Sequence, residues 1–154
     1  MAEIDKQKVL AVLNSILEHE LAGVVRYTHF SFMVVGYGRI PIVSWLRAQA
    51  DESLLHAQEA GEIITLLGGQ PSLSIGALLD QHHNDIGAIL RTSLQGETQA
   101  VALYRKLLEQ VKDSSVVLEE YARRMIHDEE IHVTVRTGIA PGSSHRSATA
   151  TAGA

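Results

Sequence analysis

With 154 residues, the chain is long enough for one domain with a sizeable apolar core. Apolar residues make up 45% of it and charged residues only 20%, mixed in sign with a formal net charge of −5. That balance is ordinary for a soluble globular domain, and nothing in it favours nucleic acid as a partner. Cysteine is absent, which excludes disulfides, iron–sulfur clusters and thiolate zinc sites. Any metal must then be held by His, Asp and Glu, ligands that suit iron, manganese or zinc better than copper(I).

The stretch Met1 to Lys8 is polar and charged, without the apolar centre of a signal peptide. No stretch approaches the roughly 20 apolar residues of a membrane span. A cytoplasmic protein without membrane contact is expected.

The first helix is expected from about Asp5 to Val35. Asp5 suits the N-cap, and Leu10, Leu13, Ile16, Leu17, Leu21, Val24 and Val25 recur at helical spacing. Gly36-Tyr37-Gly38 breaks that pattern. Pro41 fits the first turn of a second helix, which runs to about Leu67 before Gly68, Gly69 and Pro71 stop it. A connection from about Gly68 to Gln81 is long for neighbouring antiparallel helices. A third helix runs from about Asn84 to Val111. Asp113-Ser114-Ser115 makes a tight turn, and a fourth helix runs to about Arg136. Two helical hairpins joined by one long crossover describe an all-α four-helix bundle. The bundle is expected over residues 1–137. Residues 138–154, GIAPGSSHRSATATAGA, bury too little to offset their ordering entropy and read as a flexible polar tail.

Acids inside the apolar stripes of such a bundle are costly unless paired or metal-bound. Glu20 lies among Leu17, Leu21 and Val24. Glu97 lies between Ile89 and Leu94 on one side and Val101 and Leu103 on the other. The second helix offers Glu52 and His56, four residues apart, and the fourth offers Glu129 and His132, three apart. Both spacings put the pair on one helix face. Glu20 to Glu52 is 52 − 20 = 32 residues, and Glu97 to Glu129 is 129 − 97 = 32 residues. The repeat points to a pseudo-symmetric site of four carboxylates and two imidazoles, a set that suits two divalent ions.

Over about residues 5–135 the chain resembles bacterioferritin, within the ferritin-like di-iron family. The resemblance rests on Leu13-Asn14-Ser15-Ile16-Leu17 leading to Glu20-Leu21, on Tyr27, on Glu52 to His56-Ala57, on Glu97, and on Asp128-Glu129-Glu130-Ile131-His132. It implies that Glu20 and Glu97 are terminal ligands, that Glu129 and an acid on the second helix bridge two irons, and that His56 and His132 each cap one. The implied activity is ferroxidase: Fe(II) oxidised to Fe(III) with O2 or H2O2, and the mineral stored in a homo-oligomeric, 24-mer cage. A non-storage di-iron or di-manganese oxidase or peroxidase of the same fold is the alternative. A DNA-coating stress ferritin ranks lower, because the tail offers only His145 and Arg146 as cations.

Three features depart from that family. Its second-helix acid stands three residues before the His, where this chain has Ser53. Its haem-ligating Met falls at Leu54, so no haem is expected at the usual place. Its short fifth helix is replaced by the polar tail. The equal spacing of 32 favours Glu52 as the missing ligand, brought in by a re-aimed or locally widened helix turn.

The remaining polar residues receive plainer readings. His19 points about 100° away from Glu20 and suits a surface or subunit contact. Tyr27 suits a core position with its hydroxyl on a carboxylate. Trp45 and Tyr104 read as packing. His82, His83, Glu59, Glu62 and Glu130 are assigned to outer faces; His29 and His127 read as satisfied or exposed, with a proton or iron shuttle as the sharper alternative, and Asp128 as a surface residue, with support of a ligand imidazole as the alternative.

Overall fold

The computed structural model describes residues 4–78 and 82–137. Within them the chain forms four helices and no strand: α1 (Lys6–Met33), α2 (Arg39–Leu66), α3 (Ile86–Val111) and α4 (Val116–Thr137). α1 packs along α2, α3 along α4, and α1 against α3, so the two hairpins close into a four-helix bundle. The tail and the question of a fifth helix lie outside the described residues. Among the described residues, no helix is long and apolar enough to cross a membrane.

The helix ends follow local chemistry. Asp5 caps α1 by accepting from the Lys8 N–H at 3.2 Å, and Asp85 caps α3 by accepting from the Ala88 N–H at 2.8 Å. At the end of α2, Gly68 takes φ +70°. Its N–H donates to the Thr65 carbonyl, and the Gly69 N–H to the Ile64 carbonyl, both at 2.8 Å. This paired arrangement satisfies the last carbonyls and needs a residue free of Cβ strain. The crossover is then pinned to α1: the Ser72 N–H donates to Asn14 Oδ1 at 2.8 Å, and the Gly76 N–H to the Glu18 carbonyl at 2.7 Å.

The apolar core is split in two along the bundle axis. One cluster joins Val9, Leu13, Ile16 and Leu17 of α1 with Ile64, Tyr104, Leu107, Leu118 and Met125. The other joins Tyr27, Phe30 and Val34 of α1 with Val43, Leu46, Ala50 and Ile89. Each of the first three helices passes from one cluster to the other. The residues at the crossing, Glu20, Ser53, His56 and Glu97, form a buried polar band with Glu129 of α4. Leu107 has no exposed surface in the first cluster. Leu107→Ala is expected to cost about 2–5 kcal/mol, measured by chemical denaturation, through lost burial and the cavity left behind.

Candidate metal centre

The polar band encloses a cavity of about 20 Å³ lined by Glu20, Glu52, His56, Glu97, Glu129 and His132, the six residues expected to form the site. Glu20, His56 and Glu129 bring ligand atoms together in one group; Glu97, Glu129 and His132 do so in a second. Glu129 belongs to both. His56 Nδ1 lies 3.4 Å from Glu20 Oε1 and 3.3 Å from Glu129 Oε1. His132 Nδ1 lies 3.5 Å from Glu97 Oε2 and 3.7 Å from Glu129 Oε2. Two atoms about 2.1 Å from one ion and about 90–110° apart stand about 3.0–3.4 Å from each other. The groups therefore have nearly the spacing of donors around a shared cation. Glu129 Oε2 and His132 Nδ1 are buried without a hydrogen bond of ordinary length, so both can serve as donors to an ion.

Helix two departs from the expectation. α2 is a continuous α-helix with no widened turn. Ser53 is the buried residue at this level and faces Gly23 of α1, where a Cβ would stand 2.9 Å from Ser53 Oγ. Glu52 sits at the rim with its side chain 34% exposed, its Oε1 3.5 Å from His132 Nε2 and its Oε2 accepting from Gln49 Nε2 at 3.3 Å. It joins neither three-residue group. Its contact is with the far nitrogen of His132, the place of a carboxylate that orients a ligand imidazole.

Tyrosines and arginines support the acids. Tyr104 does more than pack: its hydroxyl donates to Glu20 Oε1 at 2.8 Å. The Tyr27 hydroxyl donates to Glu97 Oε1 as expected. Arg136 Nη1 pairs with the same oxygen at 2.7 Å, while its Nη2 donates to Gln49 Oε1 at 2.5 Å and its guanidinium lies 4.7 Å from the Trp45 ring centre. Arg136 was not singled out from the sequence, although it stands four residues after His132 and shares its face. Arg26 was also missed. It is buried, lines the cavity, and occupies the space that a Cβ on Gly96 would take.

His19 is not a surface residue within this chain. It is half-buried, lines the cavity and bonds to the Gly96 carbonyl at 2.9 Å through Nε2. Burial lowers its pKa, so the ring is a neutral donor there. The outer residues follow expectation: Glu59 pairs with Arg124 and Glu130 with Arg105. Asp128 bonds His127, at 3.0 Å, and not a cavity imidazole.

Without metal, protons hold the cluster together. Burial alone would lower the pKa of His56, but Glu129 and Glu20 overcome it and raise it to about 10. Contacts with Glu129 and Glu97 raise that of His132 to about 10, against burial. Burial pushes Glu129 up to about 7, with Glu97 adding to the shift and the two imidazoles opposing it. Burial works in the same sense on Glu97, but His132, Arg136 and Tyr27 outweigh it and hold this carboxyl well below the usual range. The proton shared between the two acids therefore sits on Glu129.

Comparison with known proteins agrees with this architecture. The Ferritin-like domain family matches residues 10–135. Among curated proteins, no sequence matches the chain significantly. Among solved structures, a ferritin-like diiron-carboxylate protein from Bacillus anthracis is 24% identical with a TM-score of 0.80, covering 90% of this chain and 98% of that one. The bacterioferritin of Rhodobacter capsulatus is 24% identical with a TM-score of 0.79, over 89% of this chain and 85% of its own. A dodecameric thioferritin from Bacteroides fragilis, described as bacterioferritin-related, is 19% identical with a TM-score of 0.74, over 88% and 86%. A family match spanning most of the chain, on a bundle that gathers Glu and His donors at its centre, makes this protein a member of the ferritin-like domain family.

Proposed function

We propose that this chain binds two Fe(II) ions as substrate, oxidises them to Fe(III) with O2 or H2O2, and stores the product inside a homo-oligomeric shell. The observation that carries the reading is Glu129, whose two oxygens face the two imidazoles from opposite halves of the site. A carboxylate shared in this way places two ions side by side, so that two electrons are available to one oxidant. Glu20 and His56 complete one position, Glu97 and His132 the other.

The surrounding residues prepare these ligands. Tyr104 fixes Glu20, and Tyr27 with Arg136 fixes Glu97, each through a hydrogen bond that limits rotation. Burial keeps the Tyr27 hydroxyl protonated, so it stays a donor. Glu52, at the rim, holds His132 with Nδ1 turned inward and stands close enough to contribute a ligand when the site fills. Anionic oxygen donors favour Fe(III) over Fe(II), which lowers the potential of the bound pair.

Anaerobic titration is expected to show tight Fe(II) binding that stops at two ions per chain, followed by rapid oxidation on mixing with O2 or H2O2. Binding at other sites only, or oxidation no faster than in buffer, would overturn the reading. Light scattering on the eluted protein separates storage from simple oxidation: a closed shell of many chains supports storage, whereas a dimer would leave a di-metal oxidase. The 24-mer expected from the resemblance and a dodecamer like that of the Bacteroides protein are both shells.

Haem is expected to be absent. Leu54 is an alkyl side chain on the exposed flank of α2, and Met125 is sealed in the core. Purified protein should show no Soret band after dialysis; a persistent band would mean that another residue ligates haem.

A further inference from the structure

The pseudo-symmetry of the two hairpins exposes a missing charge. On α4, Glu129 stands three residues before His132. The residue three before His56 on α2 is Ser53, and it is this residue that is buried at the site. Across from it, α1 places Gly23 so close that a Cβ there would stand 2.9 Å from Ser53 Oγ and 3.9 Å from Arg26 Nη2. α3 places Gly96 where a Cβ would lie only 2.5 Å from Arg26 Nη2. Two mid-helix glycines, each unfavourable to helix formation, thus make room for a hydroxyl and a guanidinium beside the metal ligands.

Arg26 makes no direct ion pair. It is 91% buried, being 9% exposed, and its Nε has no hydrogen-bond partner. Among the described residues, no carboxylate oxygen lies within 4.0 Å of a guanidinium nitrogen of Arg26, whose Cζ stands 5.8 Å from the Tyr27 ring centre. A buried guanidinium without a direct ion pair is costly, and a planar fork of N–H donors fits an oxyanion. The site's charges agree. Glu20, Glu52, Glu97 and Glu129 line the cavity and bring four negative charges; Arg26, which also lines it, and Arg136, paired with Glu97, bring two positive ones. Two divalent ions add four more, leaving +2 at the centre of a protein.

Resting on the two-ion reading above, we propose that Arg26 and Ser53 form a subsite for a small exogenous oxyanion. A carboxylate or carbonate held there completes the metal site in place of the second carboxylate that α2 lacks. The cavity of about 20 Å³ excludes a body as large as a nucleotide, so the probe chosen is formate, the smallest carboxylate.

The test titrates the full-length protein with Co(II), in buffer purged of carbonate and free of carboxylates, with and without formate. In the native protein, formate is expected to tighten the second Co(II) by at least about tenfold, since a bound ligand stabilises the state it favours. The ¹³C-formate signal should broaden at the same time. Arg26→Met should bind Co(II) without responding to formate. Ser53→Glu, which tethers a carboxylate in the same gap, should bind two Co(II) as tightly without formate as the native protein does with it. Two Co(II) bound equally well with or without formate in the native protein, or a formate response kept in Arg26→Met, would overturn the subsite alone. Failure to bind Co(II) in either buffer would overturn the two-ion reading and the subsite with it. Should Arg26→Met fail to fold, the native and Ser53→Glu titrations still decide.

Discussion

Glu129→Gln is expected to stop rapid iron oxidation while leaving the bundle folded. Glu129 alone belongs to both ligand groups, so neutralising it removes the one anion that two ions share. Anaerobic Fe(II) binding should fall from two ions per chain to at most one. The initial oxidation rate should fall by at least about 100-fold, since losing even an outer partner of a metal ligand commonly costs 10–100-fold. The fold should survive, because glutamine keeps the shape. Burial and Glu97 already penalise this acid's charge in the metal-free protein, which offsets the loss of its contacts with the two imidazoles. Circular dichroism and thermal melting check the fold; stopped-flow absorbance checks the rate. An undiminished rate would remove Glu129 from the reaction.

A second large effect is the reversal of pH dependence when metal is added. In the metal-free protein, His56 and His132 are raised from 6.5 to about 10. The stability they give is fully present below pH 6.5 and is lost as pH rises through 10. Glu129, raised from 4.5 to about 7, acts in the same sense, since its neutral form is favoured in the fold. Glu97 is depressed and acts oppositely, contributing above its ordinary pKa and losing that contribution in acid. The metal-free melting temperature should therefore peak in mild acid and fall steadily toward pH 10.

Metal binding requires neutral imidazoles and an ionised Glu129. At pH 7, loading two ions should release about two protons from the imidazoles and about half a proton from Glu129. The overall affinity near pH 7 should rise about 300-fold per pH unit, because about two and a half protons leave. Indicator dyes measure the release directly. A metal-free melting curve that is flat from pH 6 to 10, or metal uptake without proton release, would contradict the described ionisation.

The bundle was legible because its signals are periodic and its breaks are chemical. Leu13, Ile16 and Leu17 recur at helical spacing, and Gly68 with Gly69 marks a stop that the backbone uses. Glu20 and Glu97 stood out as acids inside apolar runs, and the His residues stood out through their spacing to acids. Residues whose role depends on the opposing helix were hidden. Arg26 and Arg136 look like solvated helix residues until Gly96 and Glu97 are seen beside them.

The equal spacing of 32 puts Glu52 and Glu129 at the same step of their helices, since α2 and α4 each begin 19 residues after the paired acid (39 − 20 = 19 and 116 − 97 = 19). The imidazoles do not match in the same way: His56 is 56 − 39 = 17 residues into α2 and His132 is 132 − 116 = 16 into α4. With both imidazoles facing the cavity, α2 is turned by one residue relative to α4, which buries Ser53 and leaves Glu52 at the rim.

The central claim is that two ions sit side by side across Glu129. Crystals soaked anaerobically in Fe(II) and measured at the iron absorption edge test it without reliance on kinetics. The expected map has two anomalous peaks per chain, one bonded to Glu20, His56 and Glu129, the other to Glu97, Glu129 and His132. A single peak, or iron only on the outer surface with Arg136 still paired to Glu97, would contradict it.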